Sequence, residues 1–126
     1  MSQPIKVKAH SLIDYGFAAV GLGGPLVLGL RGPGRALPLG FAAIQGTLNA
    51  FTDQPYAVKR LVPFKLHGLG EAVAVPALAV ASLATGALSE PRSRAFLGGM
   101  LAALGTVYAL TDWDAKPPRR FTLRRR

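Results

Sequence analysis

Four long apolar runs separated by short polar and basic stretches set the pattern of the chain: Leu12 to Leu30, Ala36 to Thr52, Leu66 to Leu88 and Ala95 to Thr111. No Lys or Arg falls within any of them. At about 1.5 Å per helical residue, runs of this length span about 25 to 35 Å, matching the roughly 30 Å hydrocarbon layer of a bilayer. A core helix of a soluble bundle would carry polar residues on its outer face at the helical period. These runs have no such face: Leu78, Ala79, Val80, Ala81 and Leu83 encircle their helix with only Ser82 between them. The pattern predicts an all-α fold, a four-transmembrane-helix bundle. Pro25 and Pro76 lie inside two of the runs and predict bends there, Pro being commoner in membrane helices than in soluble ones.

The runs are related in pairs. At an offset of 57, His10 falls on His67, Leu12 on Leu69, Asp14 on Glu71 and Gly29 on Gly86. At an offset of 59, the segment from Arg35 to Asp53 matches Arg94 to Asp112 with nine identities in nineteen positions. The chain therefore reads as one membrane domain, residues 1–126, made of two tandem helical hairpins: about 10–53 and 67–112, joined by a linker at 54–66 and followed by a basic tail at 113–126. Two crossings per half give both halves the same orientation, so the repeat is parallel. Small residues recur at Gly40, Ala43, Thr47 and Ala50 and at Gly99, Ala102, Thr106 and Ala109, which predicts smooth helix faces for close packing.

Charge sets the orientation. Eleven basic residues flank one side of the predicted membrane, against Arg31, Arg35, Arg92 and Arg94 on the other, which predicts cytoplasmic termini and a cytoplasmic middle loop. On that inner side Lys59, Arg60, Arg119, Arg120, Arg124, Arg125 and Arg126 are expected to lie against anionic headgroups. Charge alone does not make the tail a nucleic-acid ligand, and no nucleic-acid partner is expected. Trp113, Tyr15, Tyr56 and Phe64 fall near the same boundary and read as interface anchors. Lys6 and Lys8 before the first run resemble a secretory signal, but the run is long and belongs to the repeat, so a retained helix is expected. With no Cys, disulfides, thiolate ligands and Cys nucleophiles are excluded.

The chemistry-bearing residues collect at one depth. His10, Asp14, Asp53, His67, Glu71 and Asp112 all fall at the cytoplasmic ends of the predicted helices. His and acid are four apart in each half, the spacing that puts both on one helix face. Asp53 and Asp112 stand at helix C-termini, where the dipole disfavours negative charge, so a cation is expected close by. Lys59, Arg60, Lys65 or a protonated histidine would supply it within a hydrogen-bonded belt. A divalent or di-metal site is the sharper reading, since two imidazoles and four carboxylates are the ligand inventory of di-iron and di-manganese bundles, although those use Glu-x-x-His deep in the bundle. A bis-histidine haem between His10 and His67 ranks last among these. Ionisable groups at membrane depth also raise proton or ion passage, with Thr47 and Thr106 extending the polar path unless they bond back to their own helices.

Two segments, His10-Ser11-Leu12-Ile13-Asp14-Tyr15 and the linker from Thr52-Asp53-Gln54-Pro55-Tyr56 through Lys59-Arg60 to Pro63 and His67, resemble the bacterial SPW-repeat family of small membrane proteins. The likeness covers residues 10–112 and is most specific in the linker. The chain departs from it at Gly24-Pro25-Leu26 and Ala81-Ser82-Leu83, where Ser-Pro-Trp would stand, and at Glu71, where the family has Asp. The resemblance implies the two-hairpin architecture and a bacterial inner-membrane location. It implies no reaction.

No Ser-His-Asp spacing or phosphate-cradling glycine loop stands out, and Gly21, Gly23 and Gly24 follow no strand. The expected role is a non-enzymatic accessory or structural subunit of a membrane assembly, with other membrane proteins as partners. A metal-binding membrane protein or oxidoreductase using the polar cluster is the alternative, and proton or ion passage the third.

Overall fold

The computed structural model describes residues 3–118; the basic residues Arg119, Arg120, Arg124, Arg125 and Arg126 lie outside that range. Four helices occur in order, α1 (Val7–Val27), α2 (Pro33–Ala50), α3 (Phe64–Ala84) and α4 (Pro91–Leu110), and among the described residues there is no strand. The helices begin up to a turn or so before the apolar runs. Pro33 and Pro91 open α2 and α4, where a missing N–H costs nothing and the fixed φ suits a first turn. Glu90 caps α4, accepting from the backbone N–H of Arg92 at 3.0 Å and of Ser93 at 2.8 Å. Those N–H groups hold the Glu90 carboxyl below its ordinary value.

The α1–α2 turn needs a glycine. Leu30 N–H returns to Pro25 C=O at 2.9 Å and Gly29 N–H to Leu26 C=O at 3.2 Å, and Gly29 takes φ 63°. Gly86 takes φ 76° after α3.

α1 packs most extensively on α2; α3 packs on α4 and on α2. Close approach occurs where Gly21 meets Ala42 and Ala18 meets Gly46. The small-residue faces expected to mediate packing lie elsewhere: Gly40, Ala43 and Thr47 are exposed, as are Gly99, Ala102, Thr106 and Ala109. On α2 the buried face is instead the neighbouring one, with Pro38, Ala42, Gln45 and Asn49. The amide side chains force this choice, because small residues are tolerated against any surroundings whereas Gln45 and Asn49 need partners.

Many polar side chains are buried and many apolar ones exposed. Among the described residues twelve polar or charged side chains are buried against nine apolar ones, while Val27, Ile44, Val73, Val80 and Leu83 are largely exposed. The apolar core is one cluster, Leu78, Ala87, Leu97, Met100 and Leu104, flanked by Phe17, Phe41 and Phe96. By length and apolarity α3 and α4 could each cross a membrane, with only 28% and 22% of their most apolar windows buried. α1 and α2 do not reach that apolarity: α1 carries His10 and Asp14, and α2 carries Arg35, Gln45 and Asn49, of which all but Arg35 are buried.

Gly21→Ala would set a methyl 2.6 Å from Ala42 Cβ and push α1 off α2. It is expected to destabilise the protein by about 1–3 kcal/mol, seen as a lower unfolding midpoint in detergent. Gly23→Ala, whose added Cβ meets nothing within 4 Å, should leave the midpoint equal or higher.

Candidate metal centre

Two short backbone pairings build the site. Ile5, just before α1, runs beside the end of α4, with Ile5 N–H to Leu110 C=O at 3.0 Å and Asp112 N–H to Ile5 C=O at 2.8 Å. Val62, just before α3, runs beside the end of α2, with Asp53 N–H to Val62 C=O at 2.7 Å and Val62 N–H to Phe51 C=O at 2.9 Å. The first turns of α1 and α3 are thereby held against the last turns of α4 and α2. Lys6 and Pro63 precede the two helices in extended conformation. His10 and His67 then fall one turn into their helices, with Asp14 and Glu71 a further turn along the same faces.

The four side chains meet. His10, Asp14, His67 and Glu71 are all buried, and one ligand atom from each lies within 4.8 Å of the others. His10 Nε2 is 3.1 Å from Asp14 Oδ2 and 3.2 Å from Glu71 Oε1. His67 Nε2 is 2.9 Å from Asp14 Oδ2 and 3.0 Å from Glu71 Oε1. Two nitrogens and two oxygens thus alternate around one point, α1 and α3 each contributing one of each. Glu71 Oε1 also accepts from Gln45 Nε2 at 2.7 Å. Neither Asp14 oxygen has a hydrogen-bond partner, although Oδ2 approaches both imidazoles; those approaches are close in distance but not aligned as hydrogen bonds. A carboxylate so placed, fully buried and without an aligned donor, is stabilised only by positive charge beside it.

The far ring nitrogens are held as well. His10 Nδ1 lies 2.9 Å from Thr111 Oγ1, and His67 Nδ1 lies 2.7 Å from Thr52 Oγ1. Trp113 covers the site with its ring centroid 4.7 Å from that of His10 and 5.1 Å from that of Phe64, packed against Gly68, where a side chain would strike the indole. Asn49 donates to Ser11 C=O at 3.0 Å, and Gln54 donates to Asn49 C=O at 2.9 Å while accepting from Tyr56 N–H at 2.6 Å. Gln54 Nε2 also donates to Tyr15 Oη at 3.3 Å, so these bonds tie the linker to α1 and α2, with Gln54 wholly buried.

Of the six residues expected to gather, four do and two stand apart. Asp53 pairs with Arg60, one of the cations the sequence offered, and Asp112 pairs with Lys6 at 2.7 Å. The backbone pairings turn these carboxylates outward and place the preceding threonines at the imidazoles instead. Lys6 holds the Asp112 carboxyl below its ordinary value of 3.8, so this pair contributes stability above that range and loses it as pH falls through it. Lys65 pairs with Asp114 at 3.1 Å.

Phe64 and Trp113, expected at the lipid interface, instead close the histidine site, with Phe64 buried. Tyr15 donates to Tyr56 C=O at 2.9 Å. Thr47 and Thr106 bond back to Ala43 and Ala102 C=O at 2.7 and 2.8 Å and face outward, so they add no polar path. A haem has no room between His10 and His67, because the Asp14 and Glu71 oxygens fill the space between the two Nε2 atoms. The residues that sequence reasoning passed over, Thr52 and Thr111, do carry a signal, since they are identical at the offset of 59. Gln45 carried none.

No family model, curated protein or solved structure matches the chain. The functional reading therefore rests on this geometry.

Gly68→Ala would bring a methyl within 2.5 Å of the Trp113 ring and dislodge it. Trp113 is the sole tryptophan, so its fluorescence emission is expected to shift to longer wavelength as the indole leaves the site. An unchanged emission maximum would show that the indole does not seat against Gly68.

Proposed function

We propose that the chain is a four-span membrane protein of the bacterial inner membrane that holds one divalent transition-metal ion among His10, Asp14, His67 and Glu71. The ion would clamp α1 to α3 rather than catalyse a reaction. One observation carries this reading: two Nε2 atoms and two carboxylate oxygens converge in a buried cluster in which Asp14 has no aligned donor. Two neutral imidazoles and two carboxylates around a divalent ion leave no net charge, the condition under which such a group is tolerated away from water.

The membrane part of the reading draws on burial. Leu12, Val20, Leu22, Leu26 and Val27 on α1 and Ile44 on α2 are exposed, so the helices that fall short in average apolarity still present apolar side chains outward. Their polar residues meet one another inside, as ionisable groups in membrane bundles do. The metal end faces the cytoplasm by the excess of basic residues on that side. The internal repeat is supported by matched roles: His10 with Thr111 mirrors His67 with Thr52, and Ile5 beside Thr111 mirrors Val62 beside Thr52. Kinship with the SPW-repeat proteins would follow from the same residues, since His10, Asp14, Thr52 and His67 all belong to the segments that carry the likeness.

An accessory role in a larger assembly is compatible with this. The exposed small-residue faces of α2 and α4 are of the kind on which another membrane helix packs closely. Ion passage is less favoured, because beyond Glu71 the interior is the apolar cluster of Leu78, Leu97 and Met100.

Elemental analysis of protein purified in mild detergent without chelator tests the proposal. Close to one transition-metal ion per chain is expected, falling to background in a His10→Ala, His67→Ala variant. Protein that stays metal-free even after incubation with zinc, iron, cobalt and nickel salts would refute it.

A further inference from the structure

Each histidine of the cluster is gripped from behind by a threonine whose own proton is already committed. Thr52 Oγ1 lies 2.6 Å from Leu48 C=O as well as 2.7 Å from His67 Nδ1. Thr111 Oγ1 lies 2.6 Å from Val107 C=O as well as 2.9 Å from His10 Nδ1. A hydroxyl has one proton, and a carbonyl oxygen can only accept. The proton of each threonine therefore goes to the carbonyl one turn back, and only an oxygen lone pair faces the ring. Nδ1 must be the donor of that hydrogen bond. A neutral imidazole with its proton on Nδ1 carries its lone pair on Nε2.

With Nδ1 so committed, both Nε2 atoms face the same space: a doubly protonated ring donates from Nε2 to Glu71 Oε1, at 3.2 Å from His10 and 3.0 Å from His67, and a neutral ring offers its Nε2 lone pair there to an ion that takes the proton's place. The neutral tautomer with its proton on Nε2 is disfavoured because it would leave two lone pairs facing each other across every threonine contact. Either hydroxyl could satisfy its helix without a histidine, as Thr47 and Thr106 do on the outer faces. What sets Thr52 and Thr111 apart is that each is pinned, through Val62 or Ile5, beside a histidine of a different helix. Gln45 adds a third restraint, because its side-chain N–H holds Glu71 Oε1 in the cluster.

We infer, resting on the metal reading above, that Thr52 and Thr111 are positioning residues that lock His10 and His67 in the Nδ1–H tautomer. They thereby convert the cluster into a two-nitrogen, two-oxygen site selective for a divalent transition ion such as Zn2+. The two carboxylates balance two positive charges. A monovalent ion leaves the buried site negative, and imidazole donors disfavour Mg2+ and Ca2+, which take oxygen ligands. An outer hydrogen-bond partner of a ligating histidine is typically worth about 10–100-fold in metal affinity.

The test uses the full chain in mild detergent, titrated with Zn2+ against a chromophoric chelator and, separately, loaded with Co2+ for its visible absorption. The variant Thr52→Val, Thr111→Val keeps shape but removes both hydroxyls, and is expected to bind Zn2+ about 10–100-fold more weakly with an altered Co2+ spectrum. Thr52→Ser, Thr111→Ser restores the hydroxyls and should recover both. Valine variants that bind Zn2+ within about threefold of the parent, short of the usual effect of such a partner, with the same Co2+ spectrum, would overturn the inference while leaving the metal reading intact. If the parent itself takes up none of zinc, iron, cobalt and nickel, both fall. Should the valine variant not fold, 15N spectra of the histidines in the Zn2+-loaded parent decide directly: protons on both Nδ1 and ligation through both Nε2 are expected, and Nδ1 ligation of either ring overturns the inference. Displacement of Zn2+ by equimolar Mg2+ or Ca2+ would overturn the selectivity.

Discussion

Two carboxylates and two imidazoles buried together among apolar helices are the constraint from which the rest of this structure follows. Burying an isolated carboxylate is prohibitive, and each of the four groups is tolerable only because the others are there. Asp14 and Glu71 share both histidines, so neither α1 nor α3 can withdraw without stranding charge. The cluster acts as a clasp between helices that otherwise touch little, since α1 packs chiefly on α2.

The clasp has consequences outward in every direction. To hold both Nδ1 atoms, the ends of α2 and α4 must deliver threonines to fixed points, and the Val62 and Ile5 pairings do so. To keep water off the imidazoles, Trp113 folds back over them, which is why Gly68 beneath the indole has no room for a side chain. To orient Glu71 and tie down α1, α2 turns Gln45 and Asn49 inward. That choice rotates the small-residue face of α2 outward and leaves an apolar exterior around a polar interior at this end. At the other end the interior is Leu78, Ala87, Leu97 and Met100 with Ser82 and Ser93, and among the described residues no charged side chain is buried there.

In the proposed reading a divalent ion would meet the demand of the Asp14 carboxylate and cancel the charge of the two carboxylates together. A structural role also suits the surroundings. The donors come from two helices, their outer partners are fixed, and an aromatic cover closes one end, features of sites built to hold an ion rather than to present it to a substrate.

Much of this was legible in the linear sequence. Four apolar runs dictated four helices, because a helix with no polar face has to bury itself or meet lipid. The His-x-x-x-acid spacing dictated that His10 with Asp14, and His67 with Glu71, share a helix face, since four residues make about one turn. What the sequence left open was which of the acids at this end would join the histidines. Asp53 and Asp112 were equally close along the chain, but backbone pairing across the helix ends turns them out to Arg60 and Lys6 and brings in the threonines beside them. A one-residue difference in which side chain faces inward is invisible to spacing, because it depends on how a segment far away in sequence lies against the helix terminus. The same holds for Gln45, whose role exists only once α3 brings Glu71 within reach of α2. Helix identity is a local property of composition and period; the membership of a site drawn from four helix ends is not, and only the tertiary structure could decide it.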